Sequence, residues 1–256
     1  MLKFTYPPRT SSCTPITEVN FFAILGYMAQ YKVNDSRLVL IINSVDDIQL
    51  WNRHGSKMVY TPPGELINQL KELASITGPC ILDGGLLDSK HKAIKDTIAL
   101  WDILNHNGTP LRGTTYMERQ KMLHTMLLGD ELTIFSQSDK SKRIIGSCHV
   151  GYNFKDPVYA DVDKTVQLSG GIFLMTNYRN NWDNMWEKLT ETNAPYTNIE
   201  SRKYSSGGTI TKQHITPLIE GLVFKDPTGK LTNGLSENNN ASWQAKSRVE
   251  TNRHKF

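Results

Sequence analysis

"AQYKVNDSRLVLIIN" (Ala29–Asn43) sets Lys32 and Arg37 on either side of three turn formers, Asn34, Asp35 and Ser36. Directly behind them runs Leu38–Ile42, whose length and Val/Ile/Leu content are those of a buried strand. Taken singly, a lysine at the mouth of such a turn is an ordinary surface residue. Its meaning depends on what the rest of the chain brings beside it.

Reading outward, "RLVLIIN" and "IQLWN" are strands joined by "SVDD" in a hairpin. "TPPGELINQLKELASITG" follows as a helix. Pro62 and Pro63 precede it, Leu66, Ile67, Leu70, Leu73 and Ala74 form its apolar face, and Gly78 stops it. "CILDGGLL" and "DTIALWDIL" are the next strands. "TTYMERQKMLHTMLLG" is a second amphipathic helix, with Thr114 or Thr115 as its cap and Gly129 just past its end. "VQLSGGIFLMTNY" reads as a strand or hairpin and "NNWDNMWEKLTET" as a short helix. "PLIEGLVFKD" and "ASWQAKSRV" are the last strands, separated by a polar loop. Residues 1–20, rich in Pro, Ser and Thr, read as an extended N-terminal arm. Helices inserted between hairpins predict an α+β fold on antiparallel sheet, as one domain over 1–256. There is no regular βαβ alternation, and no GxxxxGK[ST] or GxGxxG phosphate loop.

At 256 residues and 38% hydrophobic content, the chain is long enough for a substantial core. No apolar run approaches the roughly 20 residues of a membrane span, and the N-terminus lacks the apolar core of a signal peptide. Three widely spaced cysteines, Cys13, Cys80 and Cys148, fit a reducing compartment and no disulfide framework. The expectation is a cytoplasmic protein with no membrane partner. With 29 basic against 25 acidic residues, the chain suits a phosphate-rich partner without demanding one.

Three features outside the opening stretch stand out. Trp101 lies in an apolar strand, where a tryptophan is usually core. Glu220 lies in the apolar "LIEGLVFKD", and a carboxylate is seldom buried without a partner. Lys246 and Arg248 fall on one face of a strand, where they repel each other unless an anion lies between them or the strand is a solvated edge.

In order, these pieces resemble the covalent nucleotidyltransferases, the ATP-dependent DNA and RNA ligases and mRNA capping enzymes. "KVNDSR" keeps the lysine and arginine of the family's KxDGxR, and "WNRHG" resembles its SRxG with Arg53 and Gly55. "LDGGLL" is similar to LDGEL, "LWDIL" to its aromatic-Asp strand, and "NGTPLRGTTYMERQKML" to a stretch common in DNA ligases. "EGLVFK" matches EGLVxK, and "WQAKSR" approximates WxKxK. The resemblance runs from Lys32 to Arg248.

It implies a nucleotidyltransferase fold, two antiparallel sheets with flanking helices and the nucleotide between them. It implies that Lys32 attacks the α-phosphate of ATP to hold AMP, which then activates a 5′-phosphate end for sealing by a 3′-hydroxyl. A lysine amine attacks only when deprotonated, which desolvation and neighbouring cations favour. The implied supports are Trp101 stacking adenine, Gln30 reading its amino group, and Arg37 and Arg53 on ribose or phosphate. Glu220 would hold Mg²⁺ (or Mn²⁺), Lys246 and Arg248 would meet the α-phosphate, and Lys225 would face either nucleotide or nucleic acid.

The expected partners are RNA or DNA ends, nicked or single-stranded. The balance leans to RNA, because the chain ends shortly after Arg248 without the OB-fold that DNA ligases carry; a separate domain or partner would supply that function. The alternatives are a DNA ligase, a GTP-dependent capping guanylyltransferase, and a non-catalytic nucleic-acid-binding module. Asn34-Asp35 replace the family's Asp-Gly, Gly85 replaces its ribose-contacting Glu, and Arg248 replaces a second lysine. With Gly85 the ribose loses an acceptor. Either Asp83 or Asn34 takes over, or ATP and dATP are weakly discriminated, which is the outcome expected from the sequence.

Overall fold

The computed structural model describes residues 1–15, 17, 22, 25–89, 95–128, 135–136, 166–169, 171–179, 182, 186, 196–203, 209–216 and 219–248. The apolar run of the opening stretch forms β3 (Ser36–Ser44), with Leu38–Ile42 at most 1% exposed. It turns tightly at Val45-Asp46 into β4 (Asp47–Asn52), as the hairpin reading expects. On its other side β3 pairs antiparallel with β5 (Cys80–Leu87), which pairs with β6 (Thr97–His106). The short β7 (Thr109–Pro110) adds to β6, and β10 (Ile172–Leu174) and β9 (Val166–Ser169) complete this sheet.

The lysine half of the opening stretch belongs to a different sheet. Lys32 lies in β2 (Met28–Val33), between β14 (Ile219–Lys225) and β11 (Tyr178–Arg179). The full order is β1 (Arg9–Cys13), β15 (Asn240–Arg248), β14, β2, β11 and β8 (Phe135–Ser136). A separate hairpin pairs β12 (Tyr196–Lys203) with β13 (Thr209–Thr216). Lys32 is therefore on an interior strand, not a sheet edge. The two large sheets share an apolar cluster, in which Ala29, Leu222 and Phe224 of one meet Leu87 and Ala99 of the other.

Neither large sheet is purely antiparallel, contrary to expectation. β1 runs parallel to β15, β8 to β11, and β10 to β6. None of these pairs is joined by a hairpin, so no local turn sets their direction. Within the 1–20 arm, β1 thus docks against the last strand.

Helix α1 (Gly64–Thr77) ends at Gly78, whose φ of 62° suits glycine and whose N–H donates to Ala74 O. It buries Leu66, Leu70, Leu73 and Ala74; Ile67, at the margin of that stripe, is 39% exposed. Helix α2 (Tyr116–Leu128) opens with a reciprocal cap, Thr115 N–H to Glu118 Oε2 at 2.7 Å and Glu118 N–H to Thr115 Oγ1 at 3.2 Å. Its buried face is largely polar: Tyr116, Arg119, Gln120, Leu123 and His124. Arg119 makes two bonds to Asp102 of β6, at 2.9 and 3.0 Å, and stacks 5.3 Å over Trp243 of β15. The "ER" of the sequence is thus a helix cap and a buried ion pair. Gly129 and nearly all of "NNWDNMWEKLTET" lie outside the described residues, within which Trp182 and Trp186 are helical.

His124 is buried, and burial lowers its pKa from 6.5 to about 4. Below pH 6.5 the unfolded chain takes a proton that the folded chain refuses until about pH 4. Stability is therefore lost as pH falls across this window, by on the order of 3 kcal/mol in full. His124→Leu should flatten the difference in urea-unfolding free energy between pH 7 and pH 4.5.

Candidate functional site

Register aligns the cations of the first sheet. Lys32 of β2 faces Gly221 of β14, which faces Arg248 of β15; one rung along, Gln30, Val223 and Lys246 align in the same way. Side chains two apart share a face, so Gln30 and Lys32 point into one groove. Gly221 has φ +150°, and a Cβ there would overlap Ser247 O, so no side chain stands between Lys32 and Arg248. The ladder shifts between Ile219 and Gly221, leaving Glu220 as the extra residue. Such a bulge re-aims its side chain. Glu220 Oε1 accepts from Lys32 Nζ and, at 3.3 Å, from Arg248 Nη2.

The opposite wall comes from the second sheet. Arg37 of β3 donates through Nε to Asp83 Oδ1 at 2.6 Å, through Nη2 to Asp83 Oδ2, and to Pro8 O at 3.1 Å. Its guanidinium lies 5.0 Å over the Trp101 ring. Trp101 also sits at a register slip: Asp83 pairs with Asp102 and Gly84 with Leu100, so Trp101 is skipped and its half-buried ring turns to the groove. Asp83 is 1% exposed; burial raises its pKa while Arg37 pulls it down. It is therefore spent on Arg37. Arg53 follows β4 at the exposed rim, its Nε donating to His54 Nε2 at 3.1 Å.

Lys225 and Gln30 are buried in the groove wall. Lys225 Nζ donates to Gln30 Oε1 at 2.8 Å and to Tyr116 Oη at 3.3 Å, and burial lowers its pKa to about 8. The Gln30 amide is engaged at both ends, since Nε2 donates to Met175 O at 3.3 Å. Its evident work is to hold Lys225. Burial lowers the pKa of Lys246, and the charges of Arg248 and Lys32 add to that. Arg248 Nε is buried with no acceptor among the described residues.

All nine side chains singled out from the sequence line one groove of about 830 Å³. Among the described residues, seven Lys and Arg side chains face it against two carboxylates, Asp35 and Glu220. An anionic ligand with several charges and a flat apolar end fits this lining. Sequence reasoning missed Asp35, Gln244 and the N-terminal Pro7, Arg9 and Thr10, which also line it. Arg9 and Thr10 arrive through the parallel pairing of β1 with β15, for which no local signal exists. Among the described residues no three His, Cys, Asp or Glu side chains cluster. Glu220 alone suits a hard cation whose remaining ligands are ligand oxygens and water.

No protein-family model and no curated protein matches the sequence. Among solved structures, the ligase domain of M. tuberculosis LigD is similar at 14% identity and TM-score 0.46, over 95% of this chain and 59% of that one. A mycobacterial DNA ligase D complexed with ATP and MES is similar at 13% and 0.44, over 97% and 60%. A Lig E DNA ligase is similar at 10% and 0.47, over 95% and 69%. The chain spans about three fifths of the two LigD structures. At such values the likeness stands beside the geometry without adding to it.

Inorganic tripolyphosphate should raise the thermal midpoint of the protein. At about 100 times its Kd the stabilisation is about 2.7 kcal/mol. Thermal scans at 50 and 300 mM NaCl should show the effect shrinking with salt, and Lys246→Ala should weaken it at either salt concentration.

Proposed function

We propose that the groove binds ATP and that the chain is an ATP-dependent nucleotidyltransferase of the polynucleotide-ligase type, with Lys32 as nucleophile. One observation carries this reading. A lysine amine stands among Lys246, Arg248 and Glu220 on one wall of a nucleotide-sized groove, and an arginine-backed tryptophan stands on the other. The resemblance of the motifs points the same way.

In this reading adenine stacks on Trp101 and the triphosphate lies along the cations. Lys32 Nζ gives up a proton to solvent and its contact with Glu220 Oε1, then attacks the α-phosphorus. An N–P bond forms as the P–O bond to pyrophosphate breaks, and the nitrogen passes a second proton to solvent. Lys246 and Arg248 meet the charge gathering on the α-phosphate oxygens, and Arg248 Nε, without an acceptor among the described residues, is a ready donor for one of them. Glu220 is the residue that would hold Mg²⁺ or Mn²⁺, which when bound would offset triphosphate charge. An oxygen of a nucleic-acid 5′-phosphate then attacks the same phosphorus, breaking the N–P bond, and the leaving nitrogen takes a proton from solvent to return the amine. Finally a 3′-hydroxyl attacks the 5′-phosphorus; AMP leaves and the hydroxyl proton passes to solvent. Lys225, held deep by Gln30 and Tyr116, serves the nucleotide side, and Arg53 at the rim faces the incoming strand.

Lys32→Ala should abolish covalent labelling by α-³²P-ATP, read on denaturing gels, with the fold intact by circular dichroism. A label surviving on that variant would make another residue the nucleophile. Glu220→Ala should depress labelling by roughly two orders of magnitude, the size of losing one charged contact to the reacting group. Labelling by GTP in place of ATP would redirect the reading to a guanylyltransferase. The lean to RNA is tested by sealing matched nicked duplexes of all-DNA, all-RNA and hybrid strands, together with single-stranded RNA.

A further inference from the structure

The chain passes between the two sheets again from β10 to β11, and this crossing is buried throughout: Met175, Thr176 and Asn177 are at most 4% exposed. Asn177 belongs to no strand and to no motif, yet its amide is fully buried. It stands between two side chains of α2, accepting from Tyr116 Oη at 2.9 Å and donating through Nδ2 to Gln120 Oε1 at 2.8 Å. Gln120 Nε2 in turn donates to Trp101 O at 2.9 Å.

A carbonyl oxygen can only accept, and that fixes the direction of every bond in the series. Trp101 O takes the Gln120 amino group, so the Gln120 oxygen faces the Asn177 amino group and the Asn177 oxygen faces Tyr116. The Tyr116 proton is thereby committed to Asn177, and its oxygen is left to accept from Lys225 Nζ at 3.3 Å. A second series reaches Lys225 from β2 with the same direction. Met175 O accepts from Gln30 Nε2, which turns Gln30 Oε1 to Lys225 Nζ at 2.8 Å. Two series, each anchored on a backbone carbonyl, end in acceptors at one buried amine.

Burial is the largest influence on Lys225 and lowers its pKa to about 8. Among the described residues, the charged groups that act on it come as pairs. Asp102 of β6 and Asp83 of β5 favour its proton, while Arg37 of β3 and Arg119 of α2 oppose it. Each aspartate is bound to one of those arginines, so their fields largely offset one another. Burial, with the charge of Asp102, holds the Tyr116 hydroxyl well above its ordinary pKa, so it keeps the proton it gives to Asn177. What favours an ammonium in this wall is therefore the two oxygens and the Tyr116 ring, 4.6 Å away.

We propose that Asn177 and Tyr116 are positioning residues for Lys225: the series that Asn177 carries turns the Tyr116 oxygen to the amine and keeps Lys225 in the groove wall as a charged donor. The groove loses this cation as pH rises through the Lys225 pKa, and substituting either residue brings the loss to lower pH. The bearing on ATP rests on the groove's reading as a nucleotide site; the titration of Lys225 does not.

The test titrates Lys225 in the full chain by NMR of ¹³Cε-labelled lysine, its signal assigned from Lys225→Met. Tyr116→Phe keeps the ring and removes only the oxygen. The Lys225 midpoint should then fall by about one to two pH units, the size of losing one hydrogen bond to a charged group. Asn177→Leu, one residue removed from Lys225, should lower the midpoint as well, because the Tyr116 proton is then free to turn toward the amine. Asn177→Asp, which still accepts from Tyr116, should leave it at or above the unaltered value. Circular dichroism checks the fold, and Tyr116→Phe decides the proposal if an Asn177 variant does not fold. In labelling by α-³²P-ATP, the half-saturating ATP concentration should rise at a correspondingly lower pH in Tyr116→Phe and Asn177→Leu, with the maximal rate within about twofold. A midpoint unmoved in Tyr116→Phe, or lowered in Asn177→Asp as in Asn177→Leu, overturns the proposal. Shifted midpoints with no labelling of the unaltered protein would overturn the ligase reading and leave the positioning assignment standing.

Discussion

The chain leaves one sheet at Val33 and enters the other at Ser36, and the site hangs on that two-residue crossing. Lys32 and Arg37 are only five positions apart, yet they stand on facing walls of the groove. A crossing so short leaves little slack, so the wall that carries Lys32 is held in register with the wall that carries Arg37 and Trp101. The shared cluster of Ala29, Leu222, Phe224, Leu87 and Ala99 presses the sheets together behind it. Substitutions in that cluster would open the groove without touching a groove residue.

The second constraint is electrostatic. Among the described residues, seven cations against two carboxylates repel one another in a half-desolvated space, which is a cost of folding. The lowered pKa of Lys246, and an Arg248 Nε with no acceptor among the described residues, are its local marks. Glu220 and Asp83 offset part of the repulsion, each holding a cation at a fixed angle. An anionic ligand would offset more of it, which would link binding to stability in this groove.

What could be read from residues alone was what local pattern dictates. The β3–β4 hairpin, helix α1 with its glycine stop, the cap of α2 and the last two strands follow from periodicity and turn chemistry. The gathering of the nine side chains into one groove follows the order of the motifs. The direction of β1 against β15 does not, because it is settled by a partner more than two hundred residues away. The aim of Glu220 and Trp101 was also illegible. Strict alternation turns Glu220 away from Lys225's face, and only a slip in pairing with another strand returns it. Asp35 escaped for a related reason: only the assembled fold lays the β2–β3 turn directly over Gly85 of β5.

The polar buried face of α2 has its explanation in the same geometry. A continuous run of hydrogen bonds crosses the molecule through that helix. Gln120 Nε2 donates to Trp101 O at 2.9 Å, and Asn177 Nδ2 to Gln120 Oε1 at 2.8 Å. Tyr116 Oη donates to Asn177 Oδ1 at 2.9 Å, and Lys225 Nζ reaches Tyr116 Oη and Gln30 Oε1. At one end is the bulge that aims the Trp101 ring; at the other is β2, two residues before Lys32. Arg119 with Asp102, next to Trp101, clamps the bulge from the other side. An apolar helix face would have buried as much surface, but it could not have satisfied the Trp101 carbonyl at the bulge or the Lys225 ammonium. The helix is polar inside because the groove it backs is built from two broken strand registers and a buried cation.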